Sequence, residues 1–142
     1  MTTTWSFDLN YPRPPKGLSA NDRCHWRTKH ENTQMIRTQT MLRTRAAQVP
    51  GLDNIRVDVV WVVADRRNRD TDNLAPLLKA IYDGIGSNRG TSARIVDDDD
   101  PAHMQKPSAT IRFEAGAEPH FTVTITDLGD DIVSLQKQGQ KK

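Results

Sequence analysis

Apolar and polar residues alternate along "WSFDLNYP", where Trp5, Phe7, Leu9 and Tyr11 are separated by Ser6, Asp8 and Asn10. A period of two predicts a half-buried β-strand. The run stops at "PRPPKG", whose prolines and glycine continue neither sheet nor helix, so residues 12–24 read as an ordered surface loop. From about His25 to Val49 the apolar Met35, Leu42, Ala46 and Val49 recur at helical spacing with arginines between them, and "VPG" closes the segment. This predicts an amphipathic helix with a basic outer face.

"NIRVDVVWVVAD" is the strongest strand signal, because β-branched residues dominate Ile55 to Val63. Ile55, Val57, Val59, Trp61 and Val63 share one face, and Val60, Val62 and Ala64 make the other face apolar near the end. A central strand covered on both sides as it reaches Asp65 is expected. Leu74, Leu77, Leu78, Ile81 and Ile85 then mark a second helix, with Asp72 or Asn73 as N-cap, Pro76 in its first turn and Gly84 or Gly86 at its end. "GSNRGTSA" reads as a flexible loop, and "ATIRFEA" and "HFTVTITDL" as two further strands. The predicted order is β-α-β-α-β-β, an α/β (α+β) fold with helices packed on a mixed sheet. One domain is expected over residues 1–128, and the polar stretch 129–142 is expected to be a disordered tail.

Composition narrows the class. Hydrophobic residues are 35% of the 142 and charged residues 27%, polar for a globular chain yet sufficient for a modest core. No run approaches the roughly 20 apolar residues of a membrane span. "MTTTW" lacks the pattern of a signal peptide, and the single Cys24 supports neither an internal disulfide nor a zinc site. These features predict a cytoplasmic protein with no membrane partner. The net charge of +2 hides an asymmetry, with 12 Lys/Arg against 6 Asp/Glu in residues 1–69 and 8 against 12 in residues 70–142. The basic half suits a polyanion and the acidic half a cation.

Of the 18 acidic residues, eight fall between Asp65 and Asp100, and all are aspartates: Asp65, Asp70, Asp72, Asp83 and the run at 97–100. Short carboxylates on constrained backbone suit a hard cation such as Mg²⁺. In extended chain Asp70 and Asp72 project to one side, so together they can hold a metal ion at the mouth of the best strand, with the later run completing the site. The same residues also fit an N-cap, a turn and a solvated acidic loop. An EF-hand is excluded, because Leu74 and Ala75 follow Asn73. Arg66, Arg67 and Arg69 directly precede the pair, and Arg13, Lys16, Arg23, Arg27 and Lys29 cluster in the first loop and helix start. Cations beside metal-binding carboxylates suit an anionic substrate and point to metal-assisted phosphodiester hydrolysis; the alternative is that the arginines merely balance the aspartates in surface ion pairs.

"RRNRDTDNLAPLLKAIYDGI", followed by "VDDDDPAHM" and preceded by "PRPPKGLSANDRCHWRTKHENT", resembles the RusA family of Holliday junction resolvases in its phage and prophage form, over roughly residues 5–127. The resemblance implies a Mg²⁺-dependent endonuclease, with Mn²⁺ able to substitute, that acts as a homodimer and cuts four-way DNA junctions by paired symmetric nicks. It implies metal ligation by Asp70, Asp72 and a third aspartate, Asp99 in the first register and Asp100 in the second. It maps the family's helical basic residue onto Lys79, and its Asn and His-Trp opening onto Asn21, His25 and Trp26. With Lys16, Arg23, Arg66, Arg67 and Arg69 these form the expected DNA contacts. A twofold dimer also matches the twofold symmetry of a four-way junction. Trp5 and Trp61 are assigned to the core by default and Trp26 to DNA, while His25 and His103 are candidate phosphate contacts. The competing readings are a non-catalytic binder of branched DNA and a nuclease preferring flaps.

Overall fold

The β-branched run Ile55–Val63 becomes the centre of a five-stranded mixed sheet. A computed structural model describes residues 2–129, in the order β1 (Thr4–Leu9), α1 (Trp26–Ala46), β2 (Ile55–Val63), a 3₁₀ turn (Thr71–Leu74), α2 (Ala75–Gly86), β3 (Met104–Gln105), β4 (Thr110–Phe113) and β5 (His120–Asp127). Apart from Gly129, the stretch expected to be a disordered tail lies outside the described residues. The mixed α+β architecture agrees with the hydrophobic pattern, with one addition. β3 pairs only Met104 and Gln105 with Ile55 and Arg56, and two residues are too few to register as periodicity.

β5 lies antiparallel between β1 and β2, aligning Phe7 with Val123 and Val59 with Val123. β3 and β4 share the other edge of β2, both parallel to it, and Val63 pairs with Phe113. β1 and β2 are therefore parallel to each other. The connections β1-α1-β2 and β2-α2-β3 step across the sheet in one direction, so the right-handed crossover rule places both helices on one face and makes them run parallel. Beneath them lie Val57, Val123, Ile125, Ile36, Ile81 and Ile85, all fully buried; each such side chain contributes roughly 1.5–3 kcal/mol. On the opposite face, β1 and β5 carry hydroxyls and carboxylates, with Ser6 Oγ 2.8 Å from Thr124 Oγ1 and Thr122 donating to Asp8 at 2.9 Å. Burial of the second face is concentrated at the end of β2, where Val62 is fully buried and Val60 and Ala64 are half-buried.

The helix interface departs from the expected pattern. Leu42 is 49% exposed, whereas Ile36, Thr40 and Thr44 face the core. The cause is close approach: a Cβ on Gly84 of α2 would meet the Arg37 carbonyl at 2.7 Å and Thr40 Cβ at 2.8 Å. Small and β-branched side chains allow that spacing, and a threonine on a buried face is not recognised by a hydrophobic pattern. The basic outer face holds for Arg27, Arg43 and Arg45, which are exposed. Arg37 instead turns inward, donating to the carbonyls of Thr91 at 3.1 Å and Arg89 at 2.5 Å.

Candidate active site

β2 delivers the chain into "ADRRNRDTDN", and the first aspartate organises the turn. Asp65 Oδ1 accepts from the Arg67 amide at 3.1 Å and from the Arg69 guanidinium at 2.8 Å. These two bonds, the backbone one foremost, hold its carboxyl below the usual range. Arg69 also donates to the carbonyls of Asp65 and Arg67 at 3.3 and 3.2 Å and lies 5.2 Å above the Trp61 ring, leaving its side chain only 18% exposed. An arginine read as a phosphate contact is thus committed to folding the loop. Arg67 is 81% exposed despite its contact with Asp65 at 3.4 Å, and Arg66 stacks at 4.3 Å over Phe113. Of the three loop arginines, Arg69 and Arg67 thus pair with Asp65, Arg67 while remaining open to solvent, and Arg66 does not.

Asp70 and Asp72 are left without ion-pair partners among the described residues, and both are exposed. Asp70 is extended (φ −108°, ψ 117°) and caps the 3₁₀ turn, its Oδ1 accepting from the Asp72 amide at 2.9 Å. The cap was expected at Asp72 or Asn73 of a single helix. The inserted turn moves it to Asp70, and α2 starts at Ala75 without a side-chain cap, with Pro76 in its first turn. Strand alternation does not describe this pair, because Asp72 already lies in the turn. The cap bond instead holds the Asp70 carboxylate beside the root of Asp72, while Leu74, 1% exposed, anchors the turn in the core.

The later aspartates diverge. Asp97 lies 3.9 Å from His103 Nε2, Asp98 accepts from the Asn88 amide at 3.3 Å, and Asp100 contacts His103 Nδ1 at 2.7 Å. Asp99 accepts from Lys79 Nζ at 2.8 Å and from Lys106 Nζ at 3.3 Å. Burial pushes its carboxyl up, but the Lys79 hydrogen bond and the Lys106 charge outweigh burial and bring it to about 2. Lys79 also reaches Asp83 at 3.1 Å, and Asp83 lies 3.9 Å from Arg37. Its ammonium is held charged, chiefly by the bond to Asp99. Among the described residues no three His, Cys, Asp or Glu side chains form a group able to hold a metal ion. The structure brings Asp70 to Asp72, and Asp99 to Lys79, as two separate sets. Lys79 stands roughly 10 Å along the helix from Asp72, at about 1.5 Å per residue. Lys106, the second cation on Asp99, has no sequence signal, since only tertiary folding brings it near.

The proline-rich loop completes the surroundings. Its Ala20 amide donates to the Asn73 carbonyl at 2.9 Å, and Trp61 Nε1 donates to the Pro12 carbonyl at 3.1 Å. Leu18, fully buried, pins the loop. Gly17 adopts φ +89°, where any Cβ would lie 2.9 Å from Cys24 Sγ. Between this loop and the arginine loop runs a groove of about 500 Å³ lined by Arg13, Trp61, Arg67 and Asn68. A smaller one beside it, lined by Ser19, Asn68, Arg69 and Asn73, ends at Asp70. Arg13 and Lys16 also line a third, with Tyr11 and Asp22. Asn68 was not singled out by the sequence, and Asn73 reads there only as a candidate helix cap. Of the remaining expected contacts, Asn21, Arg23 and Trp26 are exposed, and His25 caps α1, its Nδ1 accepting from the Arg27 amide at 3.1 Å. No protein-family model matches the chain, and a search of curated proteins finds no match.

Proposed function

We propose that the chain is a divalent-metal-dependent endonuclease of branched DNA, acting on four-way junctions as a twofold homodimer. The observation that supports this most is the state of Asp70 and Asp72: two exposed carboxylates, free of ion-pair partners among the described residues, with the Asp72 amide bonded to the Asp70 carboxylate, and with Asp70 lining a small groove that adjoins the one lined by Arg13 and Arg67. Crevices at the carboxyl ends of strands are where open α/β sheets bind ligands. A protein that only grips DNA gains nothing from uncompensated negative charge in that position.

The donor set fits Mg²⁺ or Mn²⁺ through Asp70 and Asp72, because Mg²⁺ is commonly held by one or two carboxylates plus waters and substrate phosphate. When bound there, such an ion supplies Lewis-acid polarisation of a phosphoryl oxygen and a more acidic water. Asp99, the expected third ligand, is held by two lysines, so the reading rests on the pair. Arg67 and Arg13 bind phosphates along the groove and orient the strand. Arg69 keeps the arginine loop in shape. Lys79, bracketed by Asp99 and Asp83, stays protonated and acts as a fixed positive charge, which excludes it as a general base.

The test is incubation of the purified chain with a fixed four-way junction, a flap and a matched linear duplex, in Mg²⁺ or EDTA, with products mapped on a denaturing gel. Paired symmetric cuts in the junction that require Mg²⁺ support the proposal. Cuts confined to the flap favour the flap nuclease, and binding without cutting in Mg²⁺ or Mn²⁺ favours the non-catalytic binder.

A further inference from the structure

Neither the grooves nor the carboxylate pair uses the aromatic side chain at the head of α1. Trp26 is 67% exposed, against 8% for Trp61. Its two aromatic and cationic neighbours leave it open: the Arg27 guanidinium is 5.7 Å from the ring centre, and the His25 ring is 5.6 Å away and tilted by 33°. The surrounding chain from Arg23 to His30 carries Arg23, Arg27, Lys29, His25 and His30 and no Asp or Glu. A flat apolar ring beside Arg23, Arg27 and Lys29, in a stretch bounded by Asp22 and Glu31, suits a partner that is anionic and has π-faces to offer.

Its position along the fold relates it to the carboxylate pair. α1 and α2 run parallel, and Arg37 and Asp83 are ion-pair partners across them. Eleven residues before Arg37 stands Trp26, and eleven before Asp83 stands Asp72. Stepping back along α1 covers about 16 Å at 1.5 Å per residue, and stepping back along α2 and its 3₁₀ turn covers slightly more at the turn's steeper rise, so the head of α1 lies toward the same end of the fold as the pair. The bond from the Ala20 amide to the Asn73 carbonyl ties the loop that leads into Trp26 to the same turn.

We propose that Trp26 is a stacking platform for a nucleobase left unstacked at the centre of branched DNA. This rests on the DNA-processing function above and adds the source of discrimination. Phosphate contacts bind any DNA, whereas an aromatic platform needs a free base face, which a branch centre exposes and a continuous duplex does not.

The experiment uses the full chain in EDTA, with 2-aminopurine at the branch nucleotide of a four-way junction and at the matching position of a linear duplex. Wild type is expected to change the 2-aminopurine emission of the junction alone. Trp26→Ala is expected to abolish that change and weaken junction binding about tenfold, with duplex binding within twofold and the melting temperature unchanged. Trp26→Phe is expected to restore most of both signals. Junction binding by Trp26→Ala equal to wild type, or equal losses on junction and duplex, would overturn the proposal. If wild type itself binds neither DNA, the endonuclease function fails, and that outcome is read before any variant is made.

Discussion

Replacing Asp99 with Asn removes one charge from the chain of contacts Arg37–Asp83–Lys79–Asp99–Lys106 without changing side-chain volume. The Asp99 carboxyl titrates at about 2 against an ordinary 3.8, a difference of roughly 2.5 kcal/mol if nothing were screened. Much of it is screened, because the Lys79 and Lys106 side chains are 62% and 30% exposed while Asp99 is 13% exposed. A contribution of about 1 kcal/mol is the expectation. The raised Lys79 reports the same contact from its other end and is not added to it. Because the folded carboxyl lies below its unfolded value, this stabilisation is complete above about pH 4 and is lost as pH falls toward 2. Chemical unfolding of wild type and Asp99→Asn from pH 2 to 7 should therefore show a gap of about 1 kcal/mol at neutral pH that closes over the acid range. Parallel curves, with the gap unchanged from pH 7 to 2, would refute the assignment of the stabilisation to the ionised carboxylate.

Asp70 carries a cap as well as a charge, and two substitutions separate them. Asp70→Asn keeps an acceptor for the Asp72 amide and should abolish cleavage at unchanged stability, whereas Asp70→Ala should in addition lose about 1 kcal/mol, as read by nuclease assay and denaturant titration. Arg67→Ala should weaken binding to all DNA and lower the salt slope by about one, while Arg69→Ala should destabilise the fold with little change in slope; the reverse order would mean the loop presents the other guanidinium to phosphate. Gly84→Ala should destabilise by roughly 1–3 kcal/mol through its clash with α1, and Gly51→Ala, with nothing within 4 Å of its Cβ, should not. Equal thermal shifts for the two glycine variants would show that α1 and α2 are not in close contact.

Every strand but β3, and both helices, were legible in the chain because their signals are local. Ile55, Val57, Val59, Trp61 and Val63 alternate as a half-buried strand must, and each is buried in the fold. Leu77, Ile81 and Ile85 recur at helical spacing and are likewise buried. The exposure of Trp26 also follows from its place among cations in a short stretch of sequence. Tertiary structure decided the rest, since those choices depend on what distant segments bring together. Thr40 and Thr44 face the core where Leu42 does not, because Gly84 draws the helices too close for a leucine. Asp65, not Asp70 or Asp72, takes Arg67 and Arg69 as partners, and folding Arg69 over Trp61 aims its guanidinium back at Asp65. Asp99 meets Lys79 across twenty residues and Lys106 across seven, and that closure separates it from the pair at the end of β2. Periodicity reports which side of an element is buried; which of several like charges finds which partner is decided only by the three-dimensional path of the chain.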